Sequence, residues 1–435
     1  MKLAINGGKT VRKKPFPGYR VIGKEEKKAV CRVIDSGILS RYLGCWHDDF
    51  YGGPEVRMLE KEWAEYFGIR HAISVNSCTS GLYCAVGAVG TEPGEEIIVS
   101  PYTMSASATA ALIYNAIPVF ADIEEDYYCL EPESVESKIT SRTRGIIIVD
   151  IFGQPFNRDK IKAIARKHGL YVIEDAAQAP GAKFANRHAG TLGDIGVFSL
   201  NYHKHIHTGE GGIVVTDNDD LAERVRLIRN HAESVVAAKK EKNLVNMLGF
   251  NYRMTELEAA VGRCQIRKLR GLLDARLENC CYIEEHLKGI PAITPPAIRK
   301  NCVHSFYVHP FKFNSEIAGI SRESYINAVK AELPETEFRE NHGPLLSCGY
   351  VKPLYLQPLY QKQIAFGSKG YPFKAPFYKG KTDYRKGLCP VTERMHYKEL
   401  FSHEFMLPSM SKSDIDDVIS AFYKVWENRH EIKNG

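Results

Sequence analysis

The sequence predicts an α/β protein: a large, mostly parallel sheet of seven strands, followed by a smaller α+β C-terminal domain. Three observations carry this. Short β-rich apolar runs recur at 72–75, 97–100, 118–121, 146–152, 171–174, 196–200 and 213–216. Several are apolar on both faces, Ile146-Ile147-Ile148-Val149 most clearly, as buried parallel strands are. Helical patterns lie between them, and the character of the chain changes after about Thr255.

In chain order, residues 157–167 place Ile161, Ile164 and Ala165 on one helical face, and 219–230 do the same with Leu221, Val225 and Ile228. Strands alternating with helices build a parallel sheet within one large domain, assigned to residues 1–253. A proline-free helical pattern then runs from Glu256 towards Leu287 and opens the second domain, 254–435. Pro291, Pro295 and Pro296 punctuate it. A strand-like 306–313, a helix-like 323–332 and a strand-like 405–407 follow, and an amphipathic helix at 413–427 closes the chain with Ile415, Val418, Phe422 and Val425 on its apolar face. The irregular stretch 341–386, rich in Pro, Gly, Tyr and Lys, is expected to be an insertion that enlarges this second domain.

The 435 residues are 44% hydrophobic and 25% charged, enough apolar material for a large core. The 58 basic and 52 acidic residues give +6, too little over this length to argue for nucleic acid or membrane. No apolar run approaches a membrane span, and Met1-Lys2-Leu3-Ala4-Ile5-Asn6 does not read as a signal peptide. Eleven scattered cysteines without a Cys-x-x-Cys pair read as reduced thiols, so a cytoplasmic location is expected.

Three segments carry chemistry. In the first, a strand ends at Ser199-Leu200, Lys204 follows, and Gly209-Glu210-Gly211-Gly212 leads into another strand. A lysine at the carboxyl end of a sheet strand sits where open α/β sheets bind ligands, and its amine can form a Schiff base. A lone lysine is ordinarily a solvated surface residue, so it needs company. The second segment is Tyr171-Val172-Ile173-Glu174-Asp175-Ala176-Ala177-Gln178, a strand running into two acids about one βαβ unit before Lys204. Pyridoxal 5′-phosphate needs such a pair: a carboxylate to keep the pyridine nitrogen protonated and a lysine to make the imine. Spacing alone leaves open whether Glu174 or Asp175 is that acid. In the third, Asn76-Ser77-Cys78-Thr79-Ser80-Gly81-Leu82 follows a strand and opens a helix, offering backbone amides and hydroxyls to a phosphate.

In combination these segments, with Gly249-Phe250-Asn251-Tyr252-Arg253-Met254, resemble the DegT/StrS-like family of sugar aminotransferases, which have the type I fold of pyridoxal-phosphate-dependent transferases. The resemblance spans nearly the whole chain. It implies that Lys204 holds the cofactor and shuttles a proton, that Asp175 pairs with the pyridine nitrogen, and that Gln178 bonds the ring hydroxyl. It implies that Ser77, Cys78, Thr79 and Ser199 hold the phosphate, and that Asn251 reaches the phosphate of a second subunit in a homodimer with shared sites. It places His188, His304 and Tyr307 near the acceptor. The resemblance implies a reaction that takes an amino group from glutamate or glutamine to a keto-sugar, nucleotide-linked as in such enzymes, or to a keto-cyclitol. Two positions depart from the family pattern: Cys78 stands where glycine is common, and Met104 where an aromatic covers the cofactor ring, with Tyr102 the alternative.

Other classes compete. A branch of the family has histidine for the lysine and acts as a sugar dehydratase; Lys204 argues against it. A cofactor-binding regulator without transamination is a third possibility. His203, His205 and His207 alternate and would share one face of a strand, as in a metal-dependent hydrolase, but no further ligand cluster accompanies them, so no metal is expected.

Overall fold

A computed structural model describes residues 2–337 and 344–432. All seven strand runs form, and all enter one sheet. The strands are β1 (His71–Val75), β2 (Glu96–Val99), β3 (Ile117–Phe120), β4 (Thr143–Val149) and β5 (Tyr171–Asp175); then, after a small hairpin of β6 (Lys183–Phe184) and β7 (Arg187–His188), β8 (Ile195–Ser199) and β9 (Gly212–Thr216). Their order across the sheet is β1-β9-β8-β5-β4-β2-β3. Neighbours from β3 to β8 are parallel, and β9 runs antiparallel to both β8 and β1.

Helices α1 (Lys24–Asp35), α2 (Pro54–Phe67), α3 (Cys78–Ala88), α4 (Ala106–Ile113), α5 (Pro132–Ser137), α6 (Arg158–His168), α7 (Asp219–Arg229), α8 (Val236–Lys239) and α9 (Glu256–Leu287) follow in the chain. Strand side chains alternate between faces. Ile147, Ile173 and Val197 therefore pack under α3, α4 and α7, while Ile146, Ile148 and Val172 pack with Ile161 and Ile164 of α6. Helix α9 starts at a capping box, in which Thr255 and Glu258 satisfy each other's backbone amides.

A second, four-stranded sheet has the order β10-β12-β14-β13. Its strands are β10 (Ile293–Thr294), β12 (His309–Phe313), β13 (Leu346–Cys348) and β14 (Leu400–His403); β11 (Cys302–Val303) instead pairs with β6. With the helices Arg322–Glu332 and Lys412–Glu427 it encloses a separate core, which also takes Leu3 and Phe16 from the start of the chain.

Three expectations need correction. The run 146–152 stops being strand at Val149, because buried Asp150 opens a 3-10 turn in which Phe152 is left-handed at φ 60°. The strand foreseen at 306–313 begins only at His309, since Phe306 is also left-handed. Residues 405–407 are apolar because they fill the second core, while the strand lies just before them at Leu400–His403.

The stretch 341–386 is also not what was foreseen. Its positions 341–343 lie outside the described residues. The rest contains β13 and a helix at Pro358–Lys362, and most of it does not enlarge the second core. Tyr355, Tyr360, Phe373 and Tyr384 pack instead with Phe120 on the core of the seven-stranded sheet. The Tyr384 hydroxyl donates to the Pro118 carbonyl at 2.8 Å, closing over edge strand β3.

Trp63 of α2 is fully buried, with ring centroids 5.0 Å from Phe67 and 5.3 Å from Phe198. Trp63→Ala should therefore lower the unfolding free energy by about 3–5 kcal/mol, read from urea denaturation.

Candidate active site

The strand period decides between the two adjacent acids. Glu174 and Asp175 project to opposite faces of β5. Glu174 accepts the backbone amides of Gly190, Leu192 and Gly193 at 2.6, 2.7 and 2.9 Å. It is a structural anchor for the loop that leads into β8. Burial raises its pKa, and a hydrogen bond from Asp150 together with those amides pulls it back. Asp150 is pushed well above the usual carboxylate range, by burial first and then by the Glu174 charge.

Asp175 faces α3 and α4. The Ser107 hydroxyl donates to one of its oxygens at 2.7 Å, and the Ala177 amide to the other at 3.1 Å. Burial raises its pKa, and Ser107, Ala177 and the charge of Lys204 only partly offset this. Ser107, in the first turn of α4, escaped sequence reasoning: a serine in an alanine-rich helix carries no pattern.

Lys204 lies in the turn between Asn201 and Gly209, with its Nζ 4.1 Å from the centre of the Tyr307 ring. Among the described residues no carboxylate forms an ion pair with it. Helix α3 begins beside this group. Its cap, Ser77, accepts the Ser80 amide at 3.0 Å. The Cys78 and Thr79 amides come too early in the helix to reach an intrahelical carbonyl. Gly212 makes this approach possible, since a Cβ there would stand 2.7 Å from the Cys78 nitrogen. Burial pushes the Cys78 thiol well up, the Asp175 charge adds to it, and Lys204 opposes. Ser199 is buried at the end of β8, beside Gly212 in the ladder.

Gln178 is oriented from both ends. The Phe152 amide donates to its Oε1 at 2.7 Å, which makes Nε2 the donor, and Nε2 reaches the Tyr350 hydroxyl at 2.9 Å. Burial raises the Tyr350 pKa, with Tyr307 adding and Lys204 opposing. Tyr350 therefore belongs to the site, although it arrives from the pattern-free stretch after β13, where nothing in the sequence marked it.

The remaining expected residues divide. Met104 is 59% exposed at the start of α4, where its sulfur accepts the Ala106 amide at 3.1 Å. Tyr102 is fully buried, packed edge-on against Phe152 and Tyr350, and so is not free to cover a cofactor. Asn251 is exposed, its Oδ1 accepting from Arg253 at 2.7 Å. Tyr307 lies beside Lys204, and His188 and His304 line a cavity of about 390 Å³ with Lys183 and Arg270. Burial lowers the pKa of His188 to about 4 and that of His304 to about 3.

The three alternating histidines do not share a strand face, because 202–207 is a turn. His205 is buried with its Nε2 on the Ser305 carbonyl at 2.9 Å, His203 stacks on Tyr202, and His207 accepts the Gly209 amide. No group of three His, Cys, Asp or Glu placed to hold a metal exists among the described residues.

These residues fit pyridoxal 5′-phosphate. Asp175 is a buried carboxylate short of a cationic partner, and a pyridinium nitrogen would supply one. The opening amides of α3 offer an anion site, and an amine without an ion pair stands nearby. Fold and site together define a type I pyridoxal-phosphate-dependent transferase. The chain belongs to the DegT/DnrJ/EryC1/StrS aminotransferase family, whose model matches residues 22–372.

It is 32% identical over 407 residues to the spore coat polysaccharide biosynthesis protein SpsC of Bacillus subtilis, covering 92% of this chain and 94% of that protein. It is 36% identical over 280 residues to GDP-perosamine synthase of Caulobacter vibrioides, covering 64% and 74%. The crystal structure of DesI with its TDP-sugar product superposes with a TM-score of 0.79 at 26% identity, covering 99% of both chains.

The two acids should separate experimentally. Glu174→Ala leaves three buried amides without an acceptor and should cost about 3 kcal/mol or more of stability. Asp175→Asn keeps the shape, with its Oδ1 still accepting the Ala177 amide and its Nδ2 donating to a rotated Ser107 hydroxyl, and should stay within about 1 kcal/mol of the parent. Thermal and urea unfolding of both variants check this.

Proposed function

We propose that the protein is a pyridoxal-phosphate-dependent aminotransferase that moves an amino group from glutamate or glutamine to the keto group of a nucleotide-linked sugar. The observation that carries this is the meeting of Lys204, Asp175 and the start of α3 at one end of the parallel strands. The sugar acceptor is supported by relatives named for GDP-perosamine and a TDP-sugar.

Bound pyridoxal 5′-phosphate supplies an electron sink for the substrate carbon that loses its proton. The chain's own groups do the rest. The Cys78 and Thr79 amides, with the Ser77 and Ser199 hydroxyls, receive the phosphate. Asp175 holds the proton on the pyridine nitrogen. Gln178 Nε2 donates a hydrogen bond towards the ring hydroxyl, held in that orientation by Phe152 and Tyr350. Lys204 would anchor the cofactor through Nζ and, once freed, would hold and return a proton at the reacting carbon. Tyr307 lies beneath the amine and keeps bulk water off that side. Met104, exposed at the start of α4, would offer its thioether to the ring face.

We further propose a homodimer, in which Asn251 reaches the phosphate site of the second subunit. In support, Asn251 is exposed, and Ile38, Leu39, Leu43, Trp46 and Leu248 are exposed apolar side chains. A cytoplasmic place is supported by eleven cysteines that are all free thiols. The dehydratase alternative is disfavoured because Lys204 occupies the position beside Tyr307.

Two predictions follow from these roles. The purified protein should be yellow, with a visible band that borohydride abolishes. Lys204→Ala should lose that band and slow amino transfer at least about a hundredfold. Tyr350→Phe frees one end of Gln178 and should raise the dissociation constant for pyridoxal phosphate roughly fivefold, measured by titrating apoprotein. Wild-type protein that stays colourless with added cofactor would overturn the proposal. Bound cofactor that no amino donor converts would favour the regulator or dehydratase class.

A further inference from the structure

The modest charge of the chain is concentrated in one place. Residues 362–386 hold seven cations, six of them lysines, against Asp383 alone. Their net +6 equals the formal charge of all 435 residues, so the rest of the chain balances to zero. All seven cations are exposed. Among the described residues only Arg385 has an ion pair, with Asp383 at 3.3 Å.

The segment is two-sided. Its inner side is held by Tyr378, which donates to Glu96 at 3.0 Å, and by Tyr384 on the Pro118 carbonyl. Its outer side leaves Ile364, Phe366, Tyr371 and Phe377 exposed. The three rings form a contiguous ridge, with centroids 6.5 Å apart from Phe366 to Tyr371 and 5.8 Å from Tyr371 to Phe377. Lys374 lies across Gly370, at the base of that ridge. Lys379 and Lys381, with Lys138, line a cavity of about 420 Å³ against β3, in which Arg142 is paired with Glu96 at 3.1 Å.

We infer that this face docks the protein on an anionic lipid surface. Apolar side chains among lysines match the two layers of such a surface: the rings enter the interface and the ammonium groups meet the headgroup phosphates. Two features disfavour other occupants. A self-complementary contact between two copies would set +6 against +6, which repels. Neighbouring rings meet edge-on, at interplanar angles of 61° and 85°, so they offer an apolar ridge and not the parallel platforms on which successive bases stack. The docking is peripheral; no described helix is long and apolar enough to cross a membrane.

The test is sedimentation of holoenzyme with vesicles of phosphatidylcholine, with and without phosphatidylglycerol. Binding is expected only with the anionic lipid, and it should weaken as salt rises. The quadruple variant Lys369→Gln, Lys374→Gln, Lys379→Gln, Lys381→Gln should keep the visible band of bound cofactor and its sedimentation coefficient, and lose vesicle partitioning by about a hundredfold or more. Equal binding of wild-type protein to both vesicles, or to neither, overturns the inference even if the variant fails to fold. So does undiminished binding by the variant. Tighter retention by single-stranded RNA than by anionic vesicles overturns it in favour of a nucleic acid, and a variant that dissociates into smaller species overturns it in favour of a subunit contact.

Discussion

The buried carboxylate of Asp175 is the constraint around which the site is arranged. It stands at the end of β5 with one hydrogen bond to each oxygen, from Ser107 and from Ala177. Two neutral donors do not replace the water lost on burial, and the pKa rises. A cationic partner, such as the ring nitrogen proposed above, would complete the set, so its binding and the charge state of this acid would be one equilibrium. Lys204 lies against the Tyr307 ring and opposes the rise at Asp175 without pairing to it.

The opposite face of β5 serves the same end by other means. Glu174 turns away from the site and fastens the loop before β8 through three backbone amides. The neighbouring acid Asp150 accepts the Phe156 amide at 2.9 Å, at the turn that carries Phe152. From Phe152 the connection runs to Gln178 and on to Tyr350. Tyr307 joins through its own amide, which donates to the Phe152 carbonyl at 2.7 Å. A single buried acid pair thus supports both the sheet end and the polar side of the site.

The aromatic segment after β13 gives one stretch of chain two tasks. It first delivers Tyr350 beside Gln178, and then shields edge strand β3 with Tyr355, Tyr360 and Tyr384 around Phe120. An edge strand otherwise offers unpaired backbone to other chains. The outer surface of the same segment keeps its lysines and three of its rings in solvent, which gives a nearly balanced protein one strongly positive face.

Local pattern alone determined much. The seven strands, the helices at Arg158–His168 and Asp219–Arg229, and α9 from its capping box to Leu287 all follow from residue spacing, because period and burial are local signals. Lys204, Asp175 and the start of α3 were legible because a strand end followed by a polar group leaves a trace in sequence. Choosing Asp175 over Glu174 took the neighbouring elements, since adjacent strand residues differ only in which face each meets. Ser107, Tyr350 and the orientation of Gln178 were invisible, because they come from contacts across 26 to 172 residues of chain. The meeting of His188 and His304 in one cavity, and the side on which the lysine-rich segment packs, were decided by tertiary structure alone: whole-chain charge and composition carry no positions, and only folding brings distant groups together.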